Sequence, residues 1–258
     1  MPIELGAHHP RLAAVAKLQR RKDGWGSGRF ALEGWTLLDE ALRGSLAIEE
    51  VYATPAALAA NPRLGELEAA GTPLYAVEER GMARISDLET PPGILAVAGH
   101  SLRSLDALMA GDDPVLALAV GDPGNAGTLV RSARAFGVER IVFGRGGVDP
   151  YQPKVVRAAM GALFRAHVGL GSGREVVDAA RAAGRPVVAV DLDGEALDRF
   201  DFPLRPVFVI GNERHGVRAW LPERDRAVRI PQADVESLNA AVAGSIVLYA
   251  FMLARRGS

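Results

Sequence analysis

The chain has 258 residues, 48% of them hydrophobic, with 30 Lys and Arg against 31 Asp and Glu for a formal net charge of −1. That is enough apolar material for one large or two modest domains, while the near-zero charge excludes a general pull on nucleic acid and leaves such binding to local patches. The absence of cysteine excludes disulfides, thiolate nucleophiles and cysteine-ligated zinc, as expected of a reducing cytoplasm.

The five histidines, His8, His9, His100, His167 and His215, show no metal-ligand spacing, so no metal is expected. No apolar run approaches the roughly 20 residues of a membrane span. The opening MPIELGAHHPRLAAVAK lacks the basic start and apolar middle of a signal peptide.

The first local patch comes early. KLQRRKDGWGSGRF gathers Lys17, Arg20, Arg21, Lys22 and Arg29 around a Gly-rich turn that holds Trp25. Cations for phosphates with an aromatic for a base is the composition that binds single-stranded RNA; a solvated helix end and its loop have the same letters. Beyond it the pattern predicts a helix over 35–42, a strand over 48–53, helical segments around 56–70, a strand over 74–77, a helix from Glu78 and a strand over 94–98. No catalytic constellation stands out, so residues 1–100 are expected to form a smaller α/β binding domain. SLRSLDALMAGDDP ends in a chain breaker and predicts a linker over 101–113.

Residues 114–258 predict a parallel α/β sheet. The continuous apolar run over 115–120 suits a strand buried on both faces. After GDPGNAG come a helix over 128–136, a strand over 140–143, helices over 155–164 and 175–183, and strands over 186–192 and 207–210. The chain closes on RAVRIPQADVESLNAAVAGSIVLYAFMLARR, a strand broken at Pro231, a polar loop with Asp234, Glu236, Ser237 and Asn239, and a long helix. Leu238, Val242, Ile246, Tyr249 and Leu253 recur there at helical spacing and predict the face buried on the sheet.

Parallel sheets bind ligands beyond the carboxyl ends of their strands. One such loop, GLGSG at 169–173 with Asp191 downstream, imitates a dinucleotide-binding turn, which would make the chain an NAD-dependent oxidoreductase. Its third glycine is missing, Arg174 standing in that place. The stronger candidate combines three loops: GDPGNAGTLVRSARAFG with Asn125, Arg131 and Arg134, VFVIGNERHG with Gly211, Asn212 and Glu213, and the junction Ser237-Leu238-Asn239.

DPGNAGTLVRSARAFGV, KVVRAAMGALF, VIGNERHG and IPQADVESLNAAVAGSIVLY resemble, in that order, the conserved blocks of the SpoU/TrmH ribose methyltransferases of the SPOUT class. FALEGWTLLDEAL and TPPGILAVA resemble the ribosomal-protein-like RNA-binding domain that often precedes them. The resemblance implies transfer of a methyl group from S-adenosylmethionine to a ribose 2′-hydroxyl of structured RNA, ribosomal rather than transfer RNA by analogy with two-domain members. It also implies a C-terminal trefoil knot and a homodimer. A non-catalytic RNA-binding or ribosome-assembly protein on the same fold is the alternative, which the intact motif residues count against.

By that resemblance Asn125, Arg131, Glu213, Ser237 and Asn239 are catalytic, Gly211, Ile230 and Leu238 hold the cofactor through their backbone, and Arg20, Arg21, Lys22, Trp25, Arg29 and Arg134 meet RNA. A guanidinium stays protonated, so Arg131 is read as gripping the adjacent phosphate and offsetting the developing alkoxide. Glu213, a phosphate oxygen or water takes the proton. The sequence departs from the family pattern at Arg214 and Arg218, which read as RNA contacts or solvated side chains, and in a 230–238 loop tighter by about one residue.

Overall fold

Two separate sheets organise the described residues, 1–20, 28–212, 216–234 and 237–256 of a computed structural model. The chain divides into one unit of Met1–Ser101 with Tyr151–Phe164 and another of Leu102–Pro150 with Arg165–Ser258.

The first unit runs β1 (Ile3–Leu5), α1 (Pro10–Gln19), β2 (Arg29–Glu33), α2 (Trp35–Arg43), β3 (Ile48–Ala53), α3 (Pro55–Ala60), α4 (Arg63–Ala69), β4 (Leu74–Val77), α5 (Glu79–Ile85) and β5 (Ile94–Gly99). Its sheet order is β1-β4-β3-β5-β2, parallel from β1 to β3 and antiparallel around β5. Leu12 and Val15 of α1 pack with Tyr52, Val77, Ile85, Leu95 and Val97 in one core. The buried Glu33 carboxylate is satisfied by Gln19, by Ser86 Oγ at 2.8 Å and by the Asp87 amide at 2.8 Å, as burial of a charge demands.

Residues 151–164, expected as a single helix from 155, instead form α8 (Pro153–Ala159) and a 3-10 turn over Ala162–Arg165. The helix stops because Met160 and Gly161 take left-handed φ values of 48° and 85°. A methyl on Gly161 would lie 2.6 Å from Glu40 Cβ, so the position excludes a side chain. Tyr151 and Phe164 set their rings 5.0 and 5.9 Å from that of Phe30.

The second unit comprises α6 (Leu105–Met109), β6 (Val115–Leu118), α7 (Pro123–Ala135), β7 (Arg140–Gly144), β8 (His167–Gly171), α9 (Gly173–Ala182), β9 (Val187–Ala196), β10 (Val207–Ile210), β11 (Arg226–Arg229) and α10 (Ala240–Arg256). The sheet is parallel throughout in the order β11-β9-β10-β6-β7-β8. The apolar runs VLAL and VFVI are fully buried at its centre, as their unbroken hydrophobicity predicts. Residues 102–113, expected as a linker, group with this unit. Arg185 fixes them by donating to the carbonyls of Met109 (2.7 Å), Gly111 (2.6 Å) and Asp113 (2.9 Å). Burial first, then the cations Arg205 and Arg140, hold its pKa below the usual arginine range.

Helices α7 and α10 lie side by side in the same direction, touching at four successive levels. Asn239 meets Asn125 at 3.0 Å; a Cβ on Gly244 would sit 2.5 Å from Leu129 Cδ2; Ser245 Oγ donates to Ser132 Oγ at 2.7 Å; and the Tyr249 and Phe136 rings are 5.5 Å apart. On α7 the positions 125, 129, 132 and 136 form one stripe of the kind that keeps a helix seam in register. The buried residues of α10 are Ala241, Gly244, Val247, Leu248 and Phe251. This corrects the predicted face: Val242, Tyr249 and Leu253 are 48%, 47% and 47% exposed. The helix is apolar on two sides, and the side with Ala and Gly goes inward because only small residues let it approach α7 and Ile210 so closely.

Candidate active site

The seam delivers two of the expected residues to each other. Asp122 caps α7 by accepting from the Asn125 amide at 2.9 Å, so Asn125 sits in the first helical turn rather than in the loop before it. Asn239 caps α10: its Oδ1 accepts from the amides of Ala241 (2.9 Å) and Val242 (3.2 Å). With the oxygen so occupied, Nδ2 faces the other way and donates to Asn125 Oδ1 at 3.0 Å. One side chain thus caps a helix and orients a neighbouring amide.

The other loops close on the same end of the sheet. Ala119 donates to the carbonyl of Ile210 as β6 and β10 leave the ladder. A methyl on Gly121 would lie 2.8 Å from Asn212 Nδ2, and one on Gly211 would strike the returning Val217 amide. Beside them Gly144 leaves room for Trp220, whose Nε1 would be 3.0 Å from an added Cβ. Glycine here is a condition of backbone approach rather than of unusual φ. Ile230 and Leu238 are half-buried. Ser237 is exposed and makes no hydrogen bond among the described residues.

Two buried polar atoms at this end have no partner among the described residues, the Trp220 Nε1 donor and the Gln232 Oε1 acceptor. Such orphans call for a ligand or water, and a crowded backbone rim with one spare donor and one spare acceptor fits a polar nucleoside cofactor such as S-adenosylmethionine. Sequence reasoning missed Gln232; its place two residues after Ile230 was the available signal.

Arg131 is exposed and carries no ion pair among the described residues. It lies six residues beyond Asn125, roughly a third of a turn around α7 from the seam at about 100° per residue. Arg134 is engaged by Glu139. In the first unit Arg29 pairs with Glu49 at 2.5 Å and Glu50 at 3.0 Å, and Arg20 is exposed, reaching the Arg84 carbonyl at 3.5 Å. Glu213, Arg21, Lys22 and Trp25 lie outside the described residues.

The GLGSG turn has structural work instead. Methyls on Gly169 and Gly171 would meet Leu108 at 2.6 Å and Leu105 at 3.0 Å, and one on Gly173 would overlap the Trp220 carbonyl. Ser172 and Glu175 form a capping box for α9. Asp191 is bound by two arginines, so the dinucleotide reading has neither its turn nor its acid. No group of three or more His, Cys, Asp or Glu side chains suited to a metal occurs among the described residues, and no helix among them is long and apolar enough to cross a membrane.

Residues 114–249 match the family model described as the SpoU rRNA Methylase family, and residues 9–96 the MRM3-like substrate binding domain. The chain belongs to the SpoU rRNA methylase family. The 23S rRNA (guanosine(2553)-2'-O)-methyltransferase RlmP of Bacillus subtilis is 32% identical over 237 residues, 90% of this chain and 92% of its own. Among solved structures, the SpoU methyltransferase AviRb from Streptomyces viridochromogenes in complex with AdoMet has a TM-score of 0.86 at 28% identity, covering 97% of this chain and 100% of that one. The AdoMet-bound rRNA methyltransferase from Sinorhizobium meliloti has a TM-score of 0.85 at 27% identity, covering 98% and 97%. The fold is accordingly the SPOUT methyltransferase fold behind a smaller N-terminal domain, and the chain is an S-adenosylmethionine-dependent RNA 2′-O-methyltransferase.

The shared amide pair can be separated from its helix cap. Asn239→Asp keeps the capping oxygen but loses the donor to Asn125. Urea denaturation should give a stability within about 1 kcal/mol of the parent, while methyl transfer falls by about tenfold or more.

Proposed function

We propose that this chain methylates a ribose 2′-hydroxyl of ribosomal RNA in the cytoplasm, acting as a homodimer whose C-terminal segment is tied in a trefoil knot. The Asn125–Asn239 hydrogen bond carries this reading, since it joins two separated motifs at the mouth of the cofactor loops. The match of residues 9–96 to a substrate-binding domain and the rRNA enzymes among the relatives support ribosomal RNA. The tight crossing of Val217 over Gly211 and the return of α10 to α7 support the knot. A further stripe on α10, Val242, Ile246, Tyr249 and Leu253, leaves three large apolar side chains about half exposed, the kind of surface that a second copy covers.

S-adenosylmethionine, when bound, supplies a methyl group already activated toward nucleophiles. The chain's task is to align a 2′-oxygen with it and manage the proton. Asn125 and Asn239, locked together, orient the polar groups around the sugar. Arg131, with no internal partner among the described residues, grips the neighbouring phosphate and offsets charge on the oxygen. Gly211, Ile230 and Leu238 offer backbone to the cofactor, with Gln232 Oε1 and Trp220 Nε1 as additional polar contacts.

Incubation of the chain with radiolabelled S-adenosylmethionine and rRNA should label 2′-O-methylated ribose. Arg131→Ala should lower turnover by about a hundredfold or more with cofactor binding intact; near-normal turnover would remove Arg131 from the chemistry. Val242→Asp with Leu253→Asp should shift the mass in sedimentation equilibrium from dimer to monomer, and an unchanged mass would show that the stripe is not the interface.

A further inference from the structure

Strand β9 leaves its ladder with β11 beside the proposed cofactor loops. Ala189 pairs with Ala227, yet the next pair is Glu195 with Val228; β11 advances one residue while β9 advances six, so residues 190–194 form an excursion. The excursion closes tightly, a methyl on Gly194 lying 2.5 Å from the Ala227 carbonyl carbon. Asp191 and Asp193, two residues apart, are presented by it on one side, with Leu192 between them 60% exposed.

Both carboxylates are held by arginines from the segment that follows the Gly211 loop. Arg218 Nε donates to Asp191 Oδ2 at 3.2 Å and its Nη2 reaches Asp193. Arg224 reaches Asp191, and its Nη2 donates to Asp193 Oδ1 at 2.7 Å and Oδ2 at 2.8 Å. Burial works to raise the Asp191 pKa, but hydrogen bonds from Arg224 and Arg218 outweigh it and hold the carboxylate below its usual range. Arg218, an exposed side chain, is thus paired with both carboxylates of the excursion.

The position of Arg218 gives the network its consequence. It directly follows Val217, the residue that crosses Gly211. Before it the Gly216 amide donates to the Asn212 carbonyl at 2.8 Å, and after it the Trp220 and Leu221 amides donate to the Val217 carbonyl at 3.1 and 2.9 Å. Pulling Arg218 onto the excursion thus holds Gly211 and Asn212 on one side and Trp220 on the other, residues assigned above to the proposed cofactor site.

We infer that the Asp191, Asp193, Arg218 and Arg224 network is an electrostatic clasp that positions Gly211, Asn212 and Val217 for S-adenosylmethionine, making Arg218 and Asp193 positioning residues. The inference rests on the cofactor-site assignment above. Because the Arg218 and Asp193 side chains are 64% and 46% exposed, the clasp is open to salt.

The test uses the full chain with Arg218→Ala, Asp193→Asn and Arg218→Lys. Three quantities are read: hydrogen exchange of the Gly216 amide by NMR without cofactor, S-adenosylmethionine affinity by calorimetry, and rRNA affinity by filter binding. The two clasp-breaking variants should speed Gly216 exchange and weaken cofactor binding about three- to tenfold, leave RNA affinity within about twofold, and be largely rescued in Arg218→Lys. Raising KCl from about 0.05 to about 0.5 M should weaken cofactor binding by the parent more than by Arg218→Ala. Cofactor affinity and Gly216 exchange unchanged in the variants, or RNA affinity alone reduced, would overturn the clasp. Should the variants unfold, the salt titration of the parent decides, an insensitive affinity counting against it. A parent chain that binds no S-adenosylmethionine refutes the proposed function instead, with Gly216 exchange still reporting on the clasp.

Discussion

The alignment of α10 along α7 is the constraint on which the second unit depends. Its upper end is the Asn239–Asn125 hydrogen bond, its middle the glycine-to-leucine approach at Gly244 and Leu129, and its lower end the contact of Tyr249 with Phe136. A shift along this seam would lose all four levels at once, which makes the polar pair at its top a fixed object rather than two mobile amides. Asn239 is carried in on the same helix, so packing in the core sets its place at the rim.

The sheet supplies the other half of the argument. Parallel order places the ends of β6, β7, β9 and β10 together, and glycines at 121, 144 and 211 let their loops pass within contact distance of one another. A methyl transferred from a preactivated donor needs little acid–base machinery from the protein and much positioning. Closely packed loop glycines, with Arg131 exposed and without an ion pair among the described residues, suit that need. The inferred clasp on β9 extends the same logic outward, adding ion pairs at Arg218 and Arg224 to a segment whose Val217 and Leu221 already sit in the core.

Much of this was legible in the letters. Unbroken apolar runs at 115–118 and 207–210 gave central parallel strands because both faces of such strands are buried, and the ordered blocks around Asn125, Gly211 and Asn239 identified the family and which loops must meet. The buried face of α10 was not legible, since a helix apolar on two sides has two equally good stripes and only the small size of Ala241 and Gly244 decides between them. The break at Met160 was hidden because it follows from Gly161 lying against Glu40, a contact across 121 positions of sequence. The partners of Arg218 and Arg29 were equally out of reach: an exposed arginine and a paired one read alike until the fold brings a carboxylate to it.

The most direct test of the account is a double-mutant cycle on methyl transfer with Asn125→Ala, Asn239→Ala and the pair. If the two amides act as one unit at the site, the losses in kcat/KM should be strongly non-additive, with a coupling of about 1 kcal/mol or more. Additive losses, with each residue acting regardless of the other, would contradict it.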